Sequence, residues 1–397
     1  MSKFLIVGSG ITGCTAGFEL AEQGHEVEII ESSSLIGGKV LDYCCKATDE
    51  CSRCGVCVAH THIHESLIHE NVDLTTGASI ESAENNGKKV TLQVVNKNPV
   101  INYKACIGCN QCVQACPEGC FTEYRRGEIV QYSIDYSKCR LHRGEECDIC
   151  VSQCPTGAIE AAGATSKKTL SGDGILVATG HTPFDAALKP RYGYTRSEKV
   201  ITGLEAEQRL RDQSYLAAPD EDVAFIQCVG SRDPQIDRNY CSSICCSYAM
   251  RLSRILKYRN PDSRVTIYYI DLQNFDKNFT LLKQQLIDLG VSFVRGLPFK
   301  VEELSSGKLK LLIEDMDEEQ ESEVFHDMVV LSVGLGPAED ASRTASLLGI
   351  GQNQFGFFDT SVENVFIAGT CKEPMSIPDS IASARATALE MGIYKHE

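Results

Sequence analysis

Positive charge is what this chain has least of. Its 38 lysines and arginines face 54 acidic side chains, leaving a formal net charge of -16. A surface so short of cations disfavours nucleic acid and anionic membranes, since both reward a basic face. Long apolar runs are missing as well. None approaches the roughly 18–20 residues needed to cross a bilayer, so no direct membrane insertion is expected. The strand-like run Phe4 to Val7 begins almost at Met1, which leaves no room for a secretion signal and predicts a cytoplasmic protein. Tryptophan is absent, and there is no internal repeat, low-complexity linker or nucleophile triad. What abounds is cysteine, 20 in 397 residues. A chain of this length buries ample core without disulfide staples. In a reducing compartment so many thiols point to metal or redox chemistry.

The cysteines are grouped. Five fall between Cys44 and Cys57, nine between Cys106 and Cys154, and four between Cys228 and Cys246; only Cys14 and Cys371 stand alone. Thiols a few residues apart can wrap one metal centre, whereas structural thiols would spread over core-facing positions. Cys106, Cys109, Cys112 and Cys116-Pro117 follow the C-x2-C-x2-C-x3-C-P run of bacterial ferredoxins. There the first three thiolates hold one [4Fe–4S] cluster and the fourth reaches the other. Cys139, Cys147, Cys150 and Cys154-Pro155 form the partner run, with a loop between the first two. One cluster is therefore expected on Cys106, Cys109, Cys112 and Cys154, and a second on Cys139, Cys147, Cys150 and Cys116. Zinc ribbons use paired CxxC units rather than interlocked runs. Cys120 is left over, as packing.

The N-terminus carries a different signal. A strand, Lys3 to Val7, leads into Gly8-Ser9-Gly10-Ile11-Thr12-Gly13, then a helical stretch, then a second strand ending at Glu31. This is the Rossmann fingerprint in its full context: glycines that let backbone approach a pyrophosphate at a helix N-terminus, and an acid for a ribose. Gly37-Gly38 follows closely. Ile175 to Gly180 reads as a strand ending in an Ala178-Thr179-Gly180 turn, and Val365 to Thr370 precedes a helical stretch from near Pro378. Together these resemble the thioredoxin reductase-like flavoproteins with two dinucleotide-binding domains, which favours FAD over NAD. The resemblance implies that the last motif touches the flavin ribityl chain, and Thr370 stands where that group usually has an acid.

A second Rossmann-like unit begins at Asp222 to Gln227, but no glycine fingerprint follows. Instead the chain reads Cys228-Val229-Gly230-Ser231-Arg232, then a loop to Tyr240-Cys241-Ser242-Ser243-Ile244-Cys245-Cys246. Four thiols replace the phosphate-binding glycines, which predicts a third iron–sulfur site at Cys228, Cys241, Cys245 and Cys246 and argues against NAD(P)H binding; buried cysteines in a degenerate domain are the alternative. Cys51, Cys54 and Cys57, with Cys45 or Cys44 as fourth ligand, are spaced for a further cluster. Their alternatives are a structural or redox thiol pair, or ligands completed by another subunit. His60, His62 and His64 alternate, as on one face of a strand; a solvated or core face is the favoured reading, and a histidine ligand, which would raise a cluster potential, the alternative.

These features together resemble the flavin-carrying A subunit of heterodisulfide reductases and its relatives in anaerobic electron-transfer complexes. The Cys228 to Cys246 constellation is the most specific part. The resemblance implies a flavin site drawing on Gly8, Gly10, Gly13, Glu31, Gly38, Lys39, Ala178, Thr179, Gly180, Gly369, Thr370 and Ile381. Its cofactors would be FAD and three [4Fe–4S] clusters, or four if the first group holds one. It also implies redox partners: subunits like the B and C subunits of heterodisulfide reductase, or hydrogenase- or dehydrogenase-type donors, in a hetero-oligomer that this subunit could itself dimerise. Family members that bifurcate electrons often carry a lysine five positions after the last cysteine, near flavin N5. Here that position is Arg251, which keeps the charge on a bulkier, planar, permanently protonated group.

The expected fold is α/β, a thioredoxin reductase-like frame with an inserted α+β ferredoxin-like domain. Residues 1–101, 163–215 and 331–397 would build the FAD-binding domain, 102–162 the insert, and 216–330 the degenerate NAD-type domain. Ala78 to Ala83 and Lys89 to Val95 read as a hairpin across Asn86-Gly87, and the acidic run Glu314 to Glu323 as a solvated hairpin tip. Two function classes remain. One is an electron-transfer subunit of a multi-subunit oxidoreductase; the other is a self-contained NAD(P)H- or ferredoxin-linked oxidoreductase of the glutamate synthase type. The missing second fingerprint favours the first.

Overall fold

The computed structural model describes residues 1–44, 54–126, 129–212, 216–218, 220–273, 278–317 and 319–394. The first dinucleotide unit comprises β1 (Lys3–Val7), α1 (Ile11–Glu22) and β2 (Glu26–Ile30). Phe4, Leu5 and Ile6 have no exposure on either face of β1, which suits a central strand of a parallel sheet covered on both sides. That sheet runs Val365–Ile367, Gly174–Val177, β1, β2, Val72–Thr75, all parallel. The chain moves outward from β1 in one direction and returns on its other side only at Gly174. The crevice at the end of β1 is therefore the topological switch point where open α/β sheets bind ligands.

The second unit comprises β3 (Asp222–Val229), α2 (Cys245–Arg259) and β4 (Arg264–Tyr269). Its seven-stranded sheet runs Val200–Thr202, Met328–Val333, β3, β4, Val291–Glu303, Leu309–Asp315, Gln320–His326. The first five strands are parallel and the last two close an antiparallel hairpin. The described residues of the acidic run lie at the tip of that hairpin and are mostly exposed, as their charge density predicts. Val200–Thr202 lies within the span 163–215 assigned from sequence to the FAD-binding domain, yet it is an edge strand of this second sheet. All three of its residues are buried by pairing with Met328–Val333, which a three-residue run cannot advertise.

Ala78–Asn85, Val90–Lys97 and Thr165–Gly172 form a three-stranded antiparallel sheet. Lys97 pairs directly with Thr165, so the chain leaves and re-enters this sheet at one point. A whole module can therefore be inserted there without stretching its host, because its ends already meet. Val100–Ile101 and Ile159–Glu160 clasp the stem of the insert, and Phe121–Arg126 and Ile129–Ile134 form its hairpin. Its core gathers Ile101, Phe121, Tyr132, Ile134 and Ile159 around Cys112, Cys120 and Cys139.

His60, His62 and His64 do not share a strand face. They lie in the helix Val56–Ile68, whose buried positions Val56, Ala59, Ile63 and Leu67 recur at helical spacing. Residues two apart point about 200° apart on a helix. Only His60 and His64 share a side, and His62 turns into the interior. The final helix, α3 (Ile377–Tyr394), packs against α1. Among the described residues no helix is long and apolar enough to cross a membrane.

Candidate functional site

The switch point opens into a cavity of about 1140 Å³. Of the residues expected from sequence, Gly8, Gly10, Glu31, Gly38, Lys39, Ala178, Thr179, Gly180 and Thr370 line it, and so does Arg251 on α2. Gly13, Gly369 and Ile381 do not, and each supports the wall from behind. A Cβ on Gly13 would fall 1.9 Å from the Gly8 carbonyl oxygen, so helix and turn close only with glycine there. Gly369 donates its amide N–H to Ser383 Oγ at 3.2 Å, and Ile381 packs among Ile11, Val40, Val56 and Ala59.

The chemistry of the crevice suits a dinucleotide. Gly8 holds φ +101°, and a Cβ there would meet the Ala178 carbonyl oxygen at 2.4 Å. The turn thus runs where backbone N–H groups at the start of α1 face the cavity, a favourable seat for phosphate. Glu31 is fixed at the end of β2. Its Oε2 accepts from Ser9 N–H (2.9 Å) and Ser9 Oγ–H (2.7 Å), and its Oε1 accepts from Ser33 N–H at 2.7 Å. A carboxylate held this way keeps lone pairs for a ribose.

Two contributors to this wall were not foreseen. His181 sits beside the Ala178-Thr179-Gly180 turn, with Nδ1 3.0 Å from Thr370 Oγ1. Burial, aided by the positive charge of Lys39, holds its pKa down to about 4, so the ring is neutral. Its partner is 189 residues away, and no spacing rule reveals such a pair. The second contributor is the insert, whose strand Phe121–Arg126 supplies Glu123, Tyr124, Arg125 and Arg126 to the cavity. It is docked by the fully buried Gln131, which accepts from Ile36 N–H at 2.7 Å and donates to Ile36 O at 2.8 Å. Tyr103 OH donates to Ser34 O at 3.0 Å and Ile134 N–H to Ser34 Oγ at 2.8 Å.

The thiols fall into sets. Cys106, Cys109, Cys112 and Cys154 line one small cavity in the insert. The electrostatic neighbours of Cys150 are Cys139, Cys147 and Cys116. Those of Cys245 are Cys228, Cys246 and Cys241. These groupings match the three tetrads expected from sequence, with Cys116 and Cys154 crossing over between the runs. Burial pushes Cys112 up to about 11 and Cys150 and Cys228 up to about 12, each with further help from neighbouring thiols. Metal coordination reverses that balance by deprotonating the thiol outright. At Cys154 burial acts upward too, but contacts from Thr156 and the amides of Ala158 and Ile159 outweigh it. The Ala158 N–H lies 3.2 Å from its sulfur. Among the described residues no group of three or more His, Cys, Asp or Glu side chains is arranged round a single metal ion. In a four-iron cluster each thiolate caps a different iron, so the sulfurs stand farther apart than ligands of one ion.

The third tetrad abuts the cavity. Cys228 is the penultimate residue of β3, and Cys245 and Cys246 open α2, whose N-terminal dipole favours thiolate. Further along the same helix, Ser247, Tyr248 and Arg251 form part of the cavity wall. Of the first cysteine group, Cys54 also lines the cavity and Cys57 is exposed. Cys45 and Cys51 lie outside the described residues. Cys120 is buried beside Cys116 and Cys139, as packing requires.

Comparison with known proteins agrees with this geometry. Residues 6–69 match a family model described as an NAD(P)-binding Rossmann-like domain, and residues 105–158 a 4Fe-4S dicluster domain. The A subunit of the H(2):CoB-CoM heterodisulfide,ferredoxin reductase of Methanothermobacter marburgensis is 30% identical, covering 98% of this chain and 63% of the relative. The iron-sulfur A subunit of the CoB–CoM heterodisulfide reductase of Methanocaldococcus jannaschii is 29% identical over 98% of this chain and 64% of its own length. The chain thus spans somewhat under two thirds of these relatives. Among solved structures, thioredoxin reductase from T. acidophilum superposes with a TM-score of 0.56 at 13% identity, covering 100% of this chain and 99% of the other. On a thioredoxin reductase-like frame with a ferredoxin-like insert, the chain is similar over 98% of its length to A subunits of heterodisulfide reductases.

Proposed function

We propose that this chain is an FAD- and iron–sulfur-containing electron-transfer subunit of a multi-subunit oxidoreductase, working in the reducing cytoplasm with substrate chemistry on its partners. The observation that carries the reading is the contact between cavity and third tetrad: α2 begins with Cys245 and Cys246 and, six residues on, places Arg251 in the cavity wall. Bound FAD exchanges electrons in pairs, and bound [4Fe–4S] clusters pass them one at a time. The chain's own residues prepare for both. The Gly8 to Gly13 turn and α1 seat the pyrophosphate, Glu31 takes a ribose, and Thr370, oriented by His181, faces the ribityl chain. Arg251 supplies fixed positive charge where an electron-rich flavin gains most from it. The insert carries two tetrads, and its strand Phe121–Arg126 forms part of the flavin wall, so a short route leads from flavin to the insert. Partners are other redox subunits, of the heterodisulfide reductase B and C type or dehydrogenase-type donors.

Anaerobically purified protein should hold FAD and roughly 12 iron atoms, four per tetrad, with more only if the Cys45, Cys51, Cys54 and Cys57 group binds a fourth cluster. About eight iron atoms, unchanged in Cys228→Ala, would remove the third cluster. Tight NADH binding measured by calorimetry would favour the self-contained oxidoreductase instead. Native co-purification identifies the partners.

A further inference from the structure

In a dinucleotide-binding unit the acid after the second strand binds the ribose. In the second unit of this chain that acid is Asp271, two residues beyond the end of β4. The parallel register pairs Ile226 of β3 with Tyr268 of β4, which brings Asp271 level with the end of β3, where Cys228 stands. Asp271, although part-exposed, is already paired with a cation. It grips the Arg232 guanidinium with both oxygens: Nη2 donates to Oδ2 at 3.1 Å, and Nη1 closes on Oδ1.

Arg232 comes four residues after Cys228 and is held by its own backbone, with its N–H donating to Tyr240 O at 2.9 Å. Its φ is +53°. Of seven described non-glycine residues in the left-handed region, four (Cys228, Arg232, Asp237 and Ser243) lie in this one loop. Strain of that kind persists where surrounding structure over-determines it, and it gathers at functional sites. The pair lies among the thiols. Arg232 is an electrostatic neighbour of Cys228, Cys241 and Cys246. Asp271, of opposite charge, is likewise a neighbour of Cys246.

We propose that Arg232, clamped by Asp271, is a positioning residue that sets the reduction potential of the cluster on Cys228, Cys241, Cys245 and Cys246, in the place where a nicotinamide dinucleotide would otherwise bind. This rests on the assignment of a cluster to that tetrad. One-electron reduction adds a negative charge to the tetrad's cluster. A guanidinium beside its sulfurs stabilises the reduced form more than the oxidised one, and a carboxylate does the reverse; net charge and hydrogen bonds to sulfur are the recognised levers on such potentials. The acid that would have read a ribose instead holds the arginine in place and tempers its charge.

The test is a dithionite titration of the whole FAD-loaded protein, followed by electron paramagnetic resonance of the signal that Cys228→Ser removes. Arg232→Gln should move the midpoint of that signal to more negative potential. Asp271→Asn, which keeps an oxygen for the guanidinium but removes the charge, should move it to more positive potential, with iron content unchanged in both. Arg232→Lys should stay near the parent value. Midpoints that move in the same direction, or not at all, overturn the proposal. So does loss of four iron atoms in Arg232→Lys as well as Arg232→Gln, since the arginine would then only hold the loop together. A parent protein lacking the Cys228-dependent signal overturns the cluster assignment itself, and the pair's role with it.

Discussion

The two βαβ units of this chain share a frame and part company at the turn after the first strand. In the first unit, β1 passes through Gly8, Gly10 and Gly13 into α1, and the acid after β2, Glu31, is oriented by Ser9 and Ser33. In the second, Cys228 stands next to the end of β3, a loop carries Cys241, and α2 opens with Cys245 and Cys246, while the equivalent acid, Asp271, is committed to Arg232. Both turns sit at a helix N-terminus, where the dipole favours negative charge. One unit offers that field to a phosphate and the other to thiolates. The βαβ frame fixes where a negative group goes; the side chains of the turn decide which one.

If that contrast is right, damage to one turn should spare the other. Gly8→Val forces a side chain against the Ala178 carbonyl at φ +101°. It should cost roughly 2–4 kcal/mol and abolish FAD retention, read from flavin absorbance and a denaturant melt. A variant that keeps its flavin would break the comparison. Cys228→Ser should remove about four iron atoms while flavin content stays at the parent level. Loss of both cofactors together would mean the two turns are not independent.

A pH experiment sharpens the comparison, because each unit buries a neutral histidine. Burial lowers His181 to about 4 and His326 to about 4, and His326 Nε2 lies 2.8 Å from Tyr268 OH. With the folded pKa below the unfolded one, the unfolded chain binds more protons. Stability is therefore full above about pH 6.5 and falls as pH drops toward 4. At pH 5 the loss from His326 is about 2 kcal/mol relative to pH 7. His326→Gln should be less stable than the parent at pH 7 and show a shallower decline between pH 7 and pH 5 in denaturant midpoint. An unchanged slope would mean that this ring titrates normally. The smallest effect belongs to the exposed hairpin remote from both turns: Glu321→Ala should leave iron content, flavin content and melting temperature at parent values.

Much of the frame was legible because its signals are local. The glycine turn, the two interlocked cysteine runs and the hairpin over Ala78–Asn85 and Val90–Lys97 each lie within a few tens of residues. What failed did so for want of context. His60, His62 and His64 alternate, but period two in three residues says less than the helical recurrence of Val56, Ala59 and Ile63 around them. Val200–Thr202 is too short to announce its sheet, and only the pairing with Met328–Val333 assigns it. Gly13, Gly369 and Ile381 were expected at the cofactor, and the structure places them beside the cavity without lining it, since a motif marks a turn without saying which of its atoms face the crevice.

The sequence by itself determined which chemistry this protein can carry. Spacing of two to four residues between thiols or glycines dictates local backbone geometry, and with it the kind of group that can be held. The tertiary structure decided how those sites meet. It joined Thr370 to His181, brought Asp271 to Arg232 beside the third tetrad, and used the insert's buried Gln131 to close the switch-point cavity with a strand of the ferredoxin-like module. Such contacts join distant stretches of chain and leave no period or spacing behind. They exist only because strand order and packing bring those stretches together.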